Sequence, residues 1–139
     1  MFKEGEVERL SIKTTRRNEV VDITGEVQEI VGRAKSSEGI CVVFVPHTTA
    51  AVTINENADP SVRRDILAHL GKLVPESGPY THREGNSDAH IKAAVLGPSV
   101  TLLVEGGRLV LGTWQGIYFC EFDGPRQRGV WVQLIPGAD

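Results

Sequence analysis

Cysteine is scarce in this sequence: Cys41 and Cys120 are the two present in 139 residues. Each lies within an apolar stretch typical of a strand, and their spacing is not the C-x-x-C spacing of a cysteine zinc site. No secretory context favours a disulfide between them. We therefore expect two buried thiols in a reducing cytosol.

Long hydrophobic runs and an excess of positive charge are also missing. No stretch approaches the roughly 20 apolar residues of a membrane-spanning helix, and residues 1–6 contain no apolar signal region. We therefore expect a cytoplasmic protein with no membrane partner. Fifteen Lys and Arg against 18 Asp and Glu give a net charge of −3. This balance offers no general electrostatic attraction to nucleic acid, which we exclude as a partner.

The composition that is present is that of an ordinary globular domain. A chain of 139 residues, 40% of them hydrophobic, can bury a core of its own, so we expect a single domain over residues 1–139. Periodicity predicts about six strands and three helices without strict alternation of the two. This order favours an α+β fold, with a twisted, mainly antiparallel β-sheet and flanking helices.

Several local signals support these elements. The run 40–45 is apolar at every position, which predicts a central strand. Asp59-Pro60 combines a capping carboxylate with a proline suited to the first helical position. Gly39 is expected to end an earlier helix, and Asp88 to cap a later one. Gly106-Gly107 separates two strand-like runs and predicts a hairpin.

Residues 47–65 form the most unusual stretch of the sequence. If residues 47–55 are extended, alternation places His47, Thr49, Thr53 and Asn55 on one face and apolar side chains on the other. Solvated strand faces usually carry Lys and Glu, whereas these polar groups are of the kind that bind ligands. An ordinary half-buried strand with a polar outer face remains the alternative.

Four histidines are candidates for a site. Helical periodicity places His69 beside Val62, which predicts a packed or interface residue. His82 lies in the irregular segment 75–88, a long loop rich in polar side chains. With His90 and His47 it would bring three imidazoles together from separate elements, as in an open metal site. The spacing matches no compact metal motif, so an anion site and purely hydrogen-bonded histidines stay open.

The order of several motifs resembles the YjbQ-like family, whose label is secondary thiamine-phosphate synthase. The matching segments are HTTA at 47–50, NEN at 55–57, DP at 59–60, His82, AHIK at 89–92, LGTWQGI at 111–117, Glu121 and RQR at 126–128. The resemblance implies an α+β fold, a homotrimer, and a pocket near the subunit boundary. In that pocket His47, His82 and His90 would hold a divalent metal ion, zinc or magnesium, or an oxyanion. The implied neighbours are Asn55, Asp59, Gln115, Glu121, Arg126 and Arg128, with Glu56 and Lys92 as less certain members.

The label implies an enzyme that joins a pyrimidine methyl diphosphate to a thiazole phosphate and expels pyrophosphate. The charge of the leaving group must then be neutralised by a divalent ion and by cationic side chains. Arg126 and Arg128 are two apart on a predicted strand, so they would face the same way and bind phosphate oxygens. Charges that protect an edge strand are the alternative for this pair.

Two function classes follow from this pattern. In the first, the protein is a transferase that acts on a phosphorylated small molecule, with Glu121 or Asp59 as general acid or base and Asn55, Gln115, Arg126 and Arg128 binding the substrate. In the second, the same pocket binds a phosphorylated metabolite without turning it over.

Overall fold

A computed structural model describes residues 5–138 of the chain. The first four residues and Asp139, which the predicted single domain includes, lie outside the described residues. The elements are β1 (Val7–Lys13), β2 (Glu19–Asp22), α1 (Thr24–Gly32), β3 (Gly39–Phe44), β4 (Ala50–Glu56), α2 (Pro60–Leu73), α3 (Ser87–Leu96), β5 (Ser99–Glu105), β6 (Arg108–Val110), β7 (Gln115–Glu121) and β8 (Gln127–Pro136). Within residues 5–138, no helix is long and apolar enough to cross a membrane.

The strands form two antiparallel sheets. The larger sheet has the order β1-β8-β3-β5-β6, and the smaller has the order β2-β7-β4. The α+β prediction with antiparallel strands and flanking helices is confirmed. The division into two sheets was not predicted, because alternation within a strand does not specify which strands pair.

The main core lies between the two sheets and α1. β3 is central in the larger sheet, between β8 and β5, as its apolar sequence predicts. Its side chains Cys41 and Val43 are fully buried with Val27 of α1 and Phe119 of β7. At about 25 cal/mol per Å² of apolar surface, this burial is the main source of stability.

The opposite face of the smaller sheet covers a second apolar cluster. Tyr118, Cys120 and Phe122 pack there against Ala89 and Ala93 of α3. Although Trp114, Tyr118 and Phe122 follow one another on one face of the predicted strand, which would make them available to an oligomer interface, Tyr118 and Phe122 are buried within the chain, so that prediction is wrong for them. Trp114 precedes β7 and is 61% exposed.

Other apolar side chains remain uncovered in the single chain. Phe44 and Trp131 are neighbours on the outer face of the larger sheet, and both are partly exposed. No residue of α2 is fully buried by the described chain, and His69 is exposed, so its predicted place in a core is wrong. The homotrimer, and an interface role for His69, stay predictions.

The local helix and turn signals have mixed outcomes. Asp59 caps α2 by accepting a hydrogen bond from the Ser61 N–H at 2.9 Å. Gly106 and Gly107 both have positive φ values, 58° and 74°, as a tight hairpin turn requires. Gly39 does not end α1, which stops at Gly32. Asp88 does not cap α3, because it lies inside the first turn and is buried.

The buried cysteines give a first testable expectation. Burial raises the pKa of both Cys41 and Cys120 to about 12, so the reactive thiolate is almost absent at neutral pH. Native protein should therefore react with a thiol reagent at least about a hundredfold more slowly than denatured protein. The rate at which a disulfide reagent releases its coloured thiolate, followed with and without denaturant, gives the ratio of the two reaction rates. Rapid labelling of the native protein would contradict the burial of these thiols.

Candidate functional site

A polar cleft of about 550 Å³ lies where the start of β4, the loop before α3 and the turn before β8 meet. It is lined by Arg17, Thr48, Thr49, His82, Glu84, Asn86, His90, Asp123 and Arg126. Two arginines of the lining are balanced by two carboxylates, so the two histidines decide whether the lining is neutral or cationic. Protonation of either imidazole makes the cleft cationic.

A second, mainly apolar cleft of about 400 Å³ adjoins the first. Its lining includes Pro79, Tyr80 and Ile91, and it shares His82 and His90 with the polar cleft. The two imidazole rings meet edge to face with their centroids 5.3 Å apart. The histidine pair therefore lies at the boundary between a polar and an apolar chamber.

His47 is placed differently from the other two histidines. It lies between β3, which ends at Phe44, and β4, which begins at Ala50, so the strand is shorter than the extended segment 47–55. The chain leaves β3 just before Pro46, where a proline cannot donate to the strand ladder. Its Nε2 accepts a hydrogen bond from the Gly129 N–H at 2.9 Å, which puts the proton of the neutral ring on Nδ1. Burial lowers the pKa of His47, and the Arg128 guanidinium lowers it further. His47 is therefore held as a neutral ring, and it does not line the polar cleft.

Glu121 and Arg128 form a buried ion pair beside the cleft, with exposed fractions of 0% and 4%. Arg128 Nε donates to Glu121 Oε1 at 2.8 Å, and Arg128 Nη2 donates to Glu121 Oε2. Thr14 Oγ1 and the Asp123 N–H also donate to this carboxylate, at 2.8 and 3.0 Å. Burial alone would raise the pKa of Glu121, but these donors outweigh it and hold the pKa below its usual value. Glu121 is an ionised carboxylate whose oxygens are already bonded.

The pair connects the segments that form the walls of the cleft. Arg128 Nη2 also donates to Thr49 Oγ1 at 2.8 Å, which fixes the segment before β4. Gly124 approaches so closely that a Cβ there would meet Arg16 O at 2.3 Å and Glu121 Cγ at 2.8 Å. Only glycine fits at this position, so the turn after β7 can close onto the buried pair.

Arg126 and Arg128 do not face the same way, so that prediction is wrong. Arg126 precedes β8, and its side chain is 49% exposed, against 3% for Arg128. Arg126 turns back, and its Nη2 lies 3.0 Å from Asp123 Oδ2. Arg126 lines the cleft, whereas the described hydrogen bonds of Arg128 go to Glu121 and Thr49.

Asp123 and Arg17 hold the remaining wall in place. Asp123 accepts a hydrogen bond from Asn86 Nδ2 at 2.9 Å. Arg17 Nη2 donates to the buried Asp88 at 3.0 Å, and Arg17 Nη1 lies 3.7 Å from Asp123. Asp88 also pairs with Lys92 at 3.0 Å, so Lys92 is a buried structural residue. Arg17 therefore joins the first turn of α3 to the turn after β7.

The remaining predicted site residues lie at the other end of the β4–β7 pair. Ala50 pairs with Glu121 at one end, and Glu56 pairs with Gln115 at the other, about 20 Å away at 3.3 Å per residue. Asn55 Oδ1 accepts from the Glu56 N–H at 2.7 Å, and Gln115 Oε1 accepts from the Gly112 N–H at 2.8 Å. Asp59 caps α2 at this end, where Glu56 Oε2 accepts from its N–H at 3.2 Å. A single chain does not bring these residues to the cleft.

The residues of one chain do not fit a three-histidine metal centre as they are arranged. Nε2 of His47 already accepts a hydrogen bond from the Gly129 N–H, and Nδ1 of the same ring carries the proton. Among residues 5–138, no group of three or more His, Cys, Asp or Glu side chains is placed to hold a metal ion. His82 and His90 do lie together, with Glu84 Oε1 3.9 Å from His82 Nε2. A divalent ion therefore stays a prediction, and no chemical step is assigned to it.

Arg17, Thr48 and Asp123 line the cleft but were not identified from the sequence. Each precedes or follows a strand by a few residues, where periodicity carries no information. Asp123 gave one usable signal, because it begins the Asp-Gly-Pro turn that follows β7.

Comparisons with known proteins agree with this fold. A model of the YjbQ-like UPF0047 protein family matches residues 8–137. UPF0047 protein MJ1081 of Methanocaldococcus jannaschii is 52% identical over 127 residues, which cover 91% of this chain and 92% of that protein. UPF0047 protein YugU of Bacillus subtilis is 49% identical, with coverage of 91% and 96%. The crystal structure of a YjbQ/UPF0047 family protein from Clostridium acetobutylicum has 55% identity and a TM-score of 0.91, covering 92% of this chain and 99% of that chain. None of these three descriptions names a reaction or a ligand.

Proposed function

The chain belongs to the UPF0047 family of YjbQ-like proteins, and we propose that its polar cleft binds the phosphate group of a phosphorylated small molecule. Arg126, whose side chain is half-exposed, supplies a guanidinium group that hydrogen-bonds strongly to phosphate oxygens, and Arg17, which is held by Glu76, Asp88 and Asp123, adds positive charge. Thr48 adds a hydroxyl to the same lining. His82 and His90 add donors, and positive charge when they are protonated.

The observation that carries this proposal is the pair of chambers that share His82 and His90. A phosphate in the polar chamber would place the carbon skeleton of the same molecule against Tyr80 and Ile91. Apolar walls with a few polar groups that fix orientation are typical of small-molecule sites. The chambers therefore favour an organic phosphate over inorganic phosphate.

For the reaction, we propose a transferase step like that of thiamine-phosphate synthase. The nitrogen of the thiazole bonds to the methylene carbon of the pyrimidine, the bond from that carbon to the diphosphate oxygen breaks, and pyrophosphate leaves with the electron pair of that bond. Arg17 and Arg126 would neutralise the charge that develops on the leaving oxygens. The predicted acid–base role of Glu121 is less favoured, since its oxygens already accept bonds from Arg128 and Thr14. Asp59 caps a helix outside the cleft. His82, which lines the cleft with Glu84 beside it, is the better candidate for proton transfer.

The second candidate function is a binding protein that does not turn its ligand over. Both predicted catalytic carboxylates already accept hydrogen bonds that support the fold: Asp59 from the Ser61 N–H and Glu121 from Arg128. This observation favours a binding protein. In this case the same cleft retains the phosphorylated metabolite, and the residues that bind phosphate are unchanged.

Calorimetric titration of phenyl phosphate tests the proposed site. Arg126→Ala should weaken binding about 10- to 100-fold, because it removes a charge-assisted hydrogen bond. Arg83→Ala is the matched control, since Arg83 is exposed near His82 but does not line the polar cleft. Equal binding by parent and Arg126→Ala would overturn the assignment of the cleft.

Release of pyrophosphate separates the two candidate functions. The parent is mixed with a pyrimidine methyl diphosphate and a thiazole phosphate, and pyrophosphate is measured over time. Turnover that Arg126→Ala and His82→Ala both reduce would support the transferase. Tight binding of either substrate with no pyrophosphate would support the binding protein.

A further inference from the structure

A separate cleft of about 360 Å³ lies between β2 and the first turns of α2. Its lining is Arg16, Asn18, Glu19, Val20, Pro60, Arg63, Arg64 and Leu67. None of these residues lines the polar cleft or the apolar cleft described above. It is therefore a distinct concave surface of small-molecule size.

The charge of this cleft is unbalanced. Arg16, Arg63 and Arg64 face a single carboxylate, that of Glu19. Glu19 already accepts hydrogen bonds from the N–H and the hydroxyl of Thr15, at 2.8 and 2.9 Å. Its closest approach to Arg16 is 3.9 Å, at the limit of an ion pair.

The two arginines of α2 are not neutralised by contacts within residues 5–138. Neither Arg63 nor Arg64 has a carboxylate oxygen within the 4.0 Å of an ion pair in this part of the chain. The Arg63 guanidinium lies 5.4 Å from the centre of the buried Tyr118 ring, a cation–π contact that orients it and leaves its charge in place. The hydrogen bond from Ser61 lowers the pKa of Asp59, and the charge of Arg64 lowers it further, so Asp59 offsets part of this positive charge without forming an ion pair.

We propose that this cleft is a second anion site, which takes a small molecule carrying a phosphate or carboxylate group. The planar guanidinium groups of Arg63 and Arg64 provide paired donors for such oxygens. Val20 and Leu67 give the cleft an apolar wall, which suits an anion with an organic portion.

The second site and the polar cleft are adjacent along the chain. Arg16 lines the second site, and the next residue, Arg17, lines the polar cleft and holds its walls through Asp88 and Asp123. The two sites share no lining residue, so each can be removed without a substitution in the other.

Calorimetric titration of phenyl phosphate at constant ionic strength tests this proposal. The parent should bind it at two sites. The variant Arg63→Gln/Arg64→Gln should weaken one of them about 10- to 100-fold and leave the other in place. Both arginines lie on a solvent-accessible helix face, so folding should survive, and circular dichroism checks it. Arg33→Gln/Lys72→Gln removes the same charge elsewhere and should retain both sites.

The outcomes separate this site from the proposed function. If Arg63→Gln/Arg64→Gln loses one site and Arg126→Ala loses the other, both proposals hold. If Arg126→Ala binds as the parent does while Arg63→Gln/Arg64→Gln loses a site, the second site holds and the function proposed for the polar cleft fails. A single site in the parent that Arg126→Ala removes would overturn the second site. So would an equal loss in the Arg33→Gln/Lys72→Gln control.

Discussion

Replacing Arg128 by methionine is expected to lower the free energy of unfolding by about 3–5 kcal/mol. Glu121 is fully buried, and Arg128 supplies two of its hydrogen bonds. Without the guanidinium, the carboxylate would be left charged in a site of low polarity, which is far more costly than the loss of an exposed ion pair. Thr49 would also lose a donor, so the wall of the polar cleft would loosen.

Denaturant unfolding followed by circular dichroism measures this effect. Arg126→Met is the matched control, because its half-exposed pair with Asp123 should contribute at most about 1 kcal/mol. The double variant Glu121→Gln/Arg128→Met should recover part of the loss, since it removes the uncompensated charge as well. If Arg128→Met were as stable as Arg126→Met, the buried pair would not be the structural support described above.

The same pair predicts how stability depends on pH. Folding lowers the pKa of Glu121 from its usual 4.5, so below that value the unfolded chain binds more protons than the native protein. The contribution of Glu121 is present above pH 4.5 and is lost as the pH falls through the lower folded pKa. His47 acts in the same direction at higher pH, because its pKa is lowered from 6.5 by burial and by Arg128. Acidification below pH 6.5 should therefore begin to destabilise the protein through His47.

Much of the fold could be predicted because its signals are local. Asp59-Pro60 specifies a helix start through a side-chain cap and a fixed φ, and both act within a few residues. The apolar run of β3 predicts a strand covered on both sides by other strands. Gly39 and Asp88 show the limit of such rules. Gly39 begins a strand with φ 154°. Asp88 forms ion pairs with Arg17 and Lys92 and therefore does not cap the helix.

The candidate site was predicted less completely because it depends on contacts between distant parts of the chain. His82 and His90 do meet, since one short loop and a helix connect them. Asn55 and Gln115 matched the family motifs, yet strand register places them at the far end of the smaller sheet. Arg17 reaches the site through an ion pair with Asp88, 71 residues away. No periodicity in the sequence reports that contact.

The histidine pair should control anion binding in the polar cleft. His82→Ala and His90→Ala are each expected to weaken sulfate binding about tenfold at mildly acidic pH, and the double variant should add little. The two rings lie edge to face at 5.3 Å, so loss of either also disturbs the other. His47→Ala should have a smaller effect, because His47 does not line the cleft and its Nε2 is bonded to Gly129.

The pH dependence of this binding distinguishes an anion site from a metal site. Sulfate keeps its charge between about pH 5.5 and about pH 7.5, the range in which imidazole ordinarily takes up a proton, so any change reports the protein. The cleft carries Arg17 and Arg126 against Glu84 and Asp123, and each added proton makes it more cationic. Sulfate should therefore bind more tightly as the pH falls. Zinc should bind less tightly, because protons compete for the ring nitrogens.

Calorimetric titration of both ions into the parent and the His82→Ala/His90→Ala variant provides the comparison. With the second anion site removed by Arg63→Gln/Arg64→Gln, sulfate affinity that does not change with pH, or that survives loss of both histidines, would contradict their role. Zinc binding at neutral pH that is lost on acidification and lost in the double variant would identify a metal site instead.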